Sequence, residues 1–209
     1  MNRALNLLVL AIPALVSGRH YKFALCPKFI NNGYFDISRD GCVDRAMQIS
    51  MNSDDTVECL YVGTDVQGEF PDLQRDAILQ ALEEHPDLDG LSISVTQGEE
   101  LRPAYDRAAE LGIPVVTFDS DDDDIERSRR IAYIGTDNFF MGQQLSKVLQ
   151  KLAPLGGTYA ILTSDAPNLQ ERADGIQYGL DSDPNWELLE GEGLVNYAGN
   201  NSAALPLMQ

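Results

Sequence analysis

The chain has 209 residues, 44% of them apolar, enough to bury a core in one large domain or two smaller α/β units, which excludes disorder over most of its length. Lys and Arg total 15 against 33 Asp and Glu, and the resulting net charge of −18 repels phosphate backbones and anionic headgroups. Nucleic acid is therefore not expected as a partner.

Residues 1–18 read as a signal peptide. Arg3 supplies a positive start, Leu5 to Val16 an apolar stretch, and Val16-Ser17-Gly18 the small residues that a signal peptidase requires. The apolar run falls short of the roughly 20 residues that cross a bilayer, so it predicts export rather than anchoring, with a soluble periplasmic or extracellular product starting near Arg19.

Tyr21–Cys26 reads as a strand stopped by Pro27, followed by a helix from about Tyr34 to Ser50 and a strand over Thr56–Val62. Leu73, Ala77, Ile78, Ala81 and Leu82 recur at helical spacing, predicting a helix over Pro71–Glu84 with proline in its first turn. Leu91–Val95 is the next strand, Glu99–Leu111 a helix stopped by Gly112, and Ile113–Phe118 a strand ending at Asp119. The alternation continues through a strand at Ile131–Ile134, a helix at Phe139–Leu152, a strand at Thr158–Leu162 and a helix at Leu169–Leu180. Beyond Asp181 the pattern is diluted by Asp183-Pro184-Asn185 and several glycines; one further strand is expected within Trp186–Val195 and the start of a helix within Ala203–Gln209.

Strands separated by helices of this length predict parallel pairing in a doubly wound α/β fold. In such sheets ligands gather beyond the carboxyl ends of the strands. That rule selects Lys28 to Phe35, Val62 to Asp65, Thr96, Gln97, Asp119, Ser120 and Thr136 to Asn138, mostly hydrogen-bonding groups with aromatics among them.

Other chemistries find little support. Cys26, Cys42 and Cys59 show no metal-ligand spacing; they are expected to be three small buried apolar side chains, the alternative being one disulfide with one thiol left over. Asp121 to Asp124 read as an acidic surface loop rather than a calcium site. His20 and His85 stand isolated, Gly63-Thr64-Asp65 lacks a phosphate-loop pattern, and no nucleophile with a partnering base is visible. No enzyme activity, cofactor or metal is expected.

Four segments carry a resemblance. They are Tyr21 to Lys28 followed by Asn31-Asn32-Gly33-Tyr34-Phe35, then Val115 to Asp121, then Ile131 to Asn138 with Gly142, and finally Gln170-Glu171-Arg172-Ala173-Asp174-Gly175. In this order they resemble the type I periplasmic sugar-binding proteins, the ribose-binding-like substrate-binding subunits of ABC transporters.

The resemblance implies two α/β lobes, a first over 19–135 and a partial second over 136–209. It also implies that more chain would follow Gln209 in a complete member, leaving the second lobe truncated, with an unpaired edge open to self-association. Its functional implication is a receptor that closes on a monosaccharide or related polyol and delivers it to the membrane permease of an ABC transporter. The alternatives are an autoinducer-2-like or chemotaxis sensor subunit, or a non-functional truncated paralogue.

By the same resemblance Tyr34 and Phe35 are aromatic plates for sugar faces, and Asn32, Asp119, Thr136 and Arg172 bond hydroxyls. Lys28, Ser120 and Asp137 complete the candidate set, Ser120 standing where ribose binders place an arginine. Sugars offer apolar faces ringed by hydroxyls, so plates and charged rim groups suit them. Each has a plainer reading: Tyr34 and Phe35 as helix packing, Asp119 and Asp137 as caps, and Arg172 as a solvated helix residue.

Overall fold

A computed structural model describes residues 18–122, 124–189 and 194–196. In chain order the elements are β1 (His20–Cys26), α1 (Gly33–Asn52), β2 (Thr56–Tyr61), α2 (Pro71–Glu84), β3 (Gly90–Ile93), α3 (Gly98–Glu110), β4 (Val115–Phe118), α4 (Ile125–Ser128) and β5 (Ala132–Ile134). Then follow α5 (Asn138–Leu152), β6 (Gly157–Tyr159), β7 (Ile161–Thr163), α6 (Pro167–Asp181), β8 (Trp186–Leu188) and β9 (Leu194–Asn196).

The first five strands are all parallel and pair in the order β2-β1-β3-β4-β5. The expected doubly wound α/β fold is therefore present, and its strand order reverses beside β1, where such sheets open a crevice for ligand. The main core lies on one face. Ala24 and Cys26 of β1, Leu91 and Ile93 of β3 and Val115 of β4 pack against Ile78 and Leu82 of α2 and Leu101, Ala104, Tyr105 and Ala108 of α3. Both helices present these residues at spacings of three and four, one stripe per helix.

The opposite face is covered differently. There α1 packs over β2, and an apolar hollow of about 190 Å³ remains between Phe23, Leu25, Cys42, Val116 and Ile131. Alternation along β1 explains it: Phe23 and Leu25 point away from the core that holds Ala24 and Cys26.

The second group of elements centres on α5 and α6, which pack closely. A side chain at Gly142 would collide with the Arg172 carbonyl, and one at Gly175 with the Phe139 carbonyl, so glycine at both places lets the backbones touch.

Several expectations are corrected. The stretches read as one strand at Thr158–Leu162 and one at Trp186–Val195 are each two, with β6 pairing β8 and β7 pairing β9. Ala160 alone separates the first pair, whereas residues 189–193 separate the second, so a continuous ladder cannot keep register. The cysteines are not three buried apolar groups: Cys42 and Cys59 form a disulfide, Cα atoms 6.0 Å apart, and Cys26 alone is a free buried thiol. Packing of α1 over β2 creates that proximity, which the spacing of 17 residues could not reveal.

The acidic run is not a plain surface loop either. Asp121 pairs with Arg130 at 2.6 Å, Asp122 is buried against Gly98 at the start of α3, and Asp124 caps α4 by accepting from the Arg127 amide. The export segment and the expected final helix lie outside the described residues, apart from Gly18. Among the described residues no helix is long and apolar enough to cross a membrane, and no cluster of three metal-ligating side chains occurs.

Candidate functional site

The rim beyond the strands is fixed by one buried amide. Gln74 of α2, fully buried, donates to the carbonyls of Pro27 (2.9 Å) and Ser94 (2.7 Å) and accepts from the Thr96 amide and hydroxyl. Every donor and acceptor of that amide is used, so the ends of β1 and β3 are held together away from water.

On this rim Asn32 caps α1, its side chain accepting from the Tyr34 amide at 2.9 Å. The first turn of α1 then presents Tyr34 and Phe35. Phe35 is 5% exposed and meets Phe29, Tyr34 and Phe118 edge to face, so it supports the rim from beneath and does not offer a free face. Tyr34 is 62% exposed, and its hydroxyl donates to Oδ1 of Asp119 at 2.8 Å.

Asp119 follows β4 with φ of 61°, a left-handed conformation that non-glycine residues seldom adopt and that turns its carboxylate toward the rim. Its Oδ2 accepts from the Ser94 hydroxyl at 2.8 Å, and its carbonyl from the Tyr133 hydroxyl at 3.0 Å. Burial of the phenol end, then the bond to Asp119, push the Tyr34 hydroxyl up to about 12, while Arg172 pulls the other way.

From the second group, Arg172 of α6 donates to Asn138 Oδ1 at 2.7 Å, and Asn138, itself 1% exposed, donates to the Thr136 carbonyl. Thr136 is exposed and also takes the second bond of the Tyr133 hydroxyl through its carbonyl, at 3.1 Å. Asp137 caps α5, accepting from the Phe140 amide at 2.9 Å. Beside these residues lies a cavity of about 480 Å³ lined by Tyr133, Thr136, Asp137, Asn138 and Glu171.

The structure thus joins Tyr34 to Asp119, with Phe35 and Asn32 beneath, while Arg172 bonds Asn138 and its charge acts on the Tyr34 phenol; Thr136 and Asp137 lie at the margin. Two candidates sit apart from that reading. Ser120 is fully buried, its carbonyl accepting from the Val95 amide. Lys28 is 4% exposed and its ammonium is held by Glu69 (3.3 Å) and Asn168 (3.2 Å), while the Ser164 hydroxyl reaches the other Glu69 oxygen at 3.5 Å.

Sequence reasoning missed Ser94, Tyr133, Glu69 and Asn168, whereas Asn138 lay within the selected range Thr136 to Asn138. The strand-end rule begins at Thr96, two residues past Ser94; nothing local marks Tyr133, Glu69 or Asn168.

The model of the family described as periplasmic binding protein domain matches residues 23–208. Among solved structures, an ABC transporter solute-binding protein from Burkholderia graminis in complex with D-arabinose is similar at 25% identity and a TM-score of 0.71, over 90% of this chain and 60% of that one. A glucose-galactose binding protein from Geobacillus stearothermophilus is similar at 23% identity and a TM-score of 0.77, over 90% and 62%. A solute-binding protein from Agrobacterium vitis bound with α-D-tagatopyranose is similar at 17% identity and a TM-score of 0.74, over 90% and 62%. The chain therefore spans less than two thirds of the length of these structures. No curated protein matches the sequence at a significant level.

Proposed function

The chain belongs to the periplasmic binding protein domain family, and on that premise we propose that it is a receptor for a monosaccharide or related polyol, supplying the permease of an ABC transporter. In this reading the segments 19–135 and 136–209 are two lobes that close about the ligand, and the product works outside the cytoplasm after export.

One observation supports the proposal: Tyr34 and Asp119, distant in sequence, bond to each other beyond β4, and the Arg172 charge acts on the same phenol. An aromatic face, a carboxylate and a guanidinium in one place suit a ring with apolar faces and hydroxyl edges. Asp119, already oriented by Ser94, would accept sugar hydroxyls, and Arg172, held by Asn138, would donate to them. Binding and closure involve no bond-making step; ligand favours the closed state by touching both lobes.

Isothermal titration calorimetry of the purified chain against aldopentoses, aldohexoses, ketohexoses and autoinducer-2 tests this. Saturable heat with one class is expected. A folded sample that gives none with any of them overturns the receptor reading.

A further inference from the structure

Resting on the receptor reading above, we infer that the Tyr34 hydroxyl is an internal competitor for the ligand-accepting edge of Asp119, so that this hydroxyl, as distinct from the ring that carries it, sets affinity by being displaced. The geometry separates the two donors that Asp119 holds. Ser94 is fully buried and bonds Oδ2 at 2.8 Å; Tyr34 is 62% exposed and bonds Oδ1 at the same distance. A buried donor cannot be exchanged without leaving an unsatisfied group, whereas an exposed hydroxyl that leaves Asp119 finds water at once.

The two bonds therefore have different roles. Ser94 fixes the direction of the carboxylate. Tyr34, the more exposed of the two partners, occupies Oδ1, the oxygen left for a ligand hydroxyl.

The support of Tyr34 allows such a movement. Its backbone stays fixed by the Asn32 cap, and its ring touches Phe35 edge to face with centroids 5.1 Å apart, a contact that survives rotation about the side-chain torsions better than close packing would. The bond is charge-assisted, and a ligand hydroxyl must exchange with it before it can use Oδ1 directly. Ligands that reach Asp119 through one hydroxyl suffer this competition most, because nothing else they gain at that carboxylate offsets it.

The test compares the unaltered chain with Tyr34→Phe, which keeps the ring and removes only the competing hydroxyl. Calorimetry with the best-binding sugar of the panel is expected to show about three- to tenfold tighter binding for the variant, the range of one partly exposed charged hydrogen bond. A tyrosinate titration monitored by ultraviolet absorbance, on the ligand-free chain and on Asp119→Asn, gives an independent readout. Removing the Asp119 charge is expected to move the Tyr34 phenol toward its ordinary range, and the Tyr133 phenol in the same direction. Equal or weaker sugar binding by Tyr34→Phe overturns this inference while leaving the receptor reading in place. Failure of both chains to bind any sugar overturns the receptor reading and this inference with it, and an Asp119→Asn titration identical to that of the unaltered chain shows that the contact is not made.

Discussion

Nζ of Lys28 and Oδ1 of Asn168 lie 3.2 Å apart, joining the loop after β1 to the first turn of α6. Glu69 and Ser164 extend this contact into a polar chain between the two groups of elements. Replacing Lys28 by Met keeps the apolar stem but leaves Glu69, whose side chain is 19% exposed, without its cation. A loss of about 2 kcal/mol in unfolding free energy is expected, below the full penalty for a buried pair because Glu69 retains some water. Urea unfolding measures it, and an unchanged midpoint would show that this chain of contacts contributes nothing.

Asp119→Asn preserves shape and the Ser94 contact but removes the charge that strengthens a sugar hydroxyl bond. Affinity for the bound sugar is expected to fall by about 10- to 100-fold. Calorimetry at fixed salt measures the change; equal affinity would mean that this carboxylate does not touch ligand.

The cysteine arrangement predicts a thiol count. Burial pushes the Cys26 thiol up to about 12, so little thiolate exists at neutral pH and the folded chain should not react with a thiol reagent. Unfolding without reductant should expose one thiol, and unfolding with reductant three. Reduction of Cys42–Cys59, which closes a short loop, is expected to cost about 3 kcal/mol. Three reactive thiols without reductant would show that the bond does not form.

Alkaline pH should destabilise the fold through its phenols. Burial is the leading cause that raises Tyr61, Tyr105, Tyr133 and Tyr159, and it raises Tyr34 to about 12, helped by Asp119. An unfolded tyrosine loses its proton near pH 10, before its folded counterpart, so the folded state holds more protons above that point. The contribution is fully present below about pH 10 and is lost as pH rises through the folded values. Urea midpoints at about pH 8 and about pH 11 check the sign; a higher midpoint at the alkaline end would contradict it.

The order of strands and helices is legible in the amino-acid sequence because apolar periodicity is a local property. Pro71–Glu84 begins and ends where its proline and apolar spacing place it, and Asp119 marks the end of β4 because the buried run Val115–Phe118 stops there. The resemblance of four short segments then identified the family. What the sequence could not supply are relationships that depend on how elements cross. The Tyr34–Asp119 bond spans 85 residues and the Lys28–Asn168 bond 140. Cys42 meets Cys59 only because α1 lies over β2, and Phe35 sinks into an aromatic cluster while its neighbour Tyr34 stays at the surface. Local composition sets which segment becomes helix or strand, whereas the partner of each side chain is set by sheet register and helix packing, and those are decided by the whole chain burying its apolar surface at once.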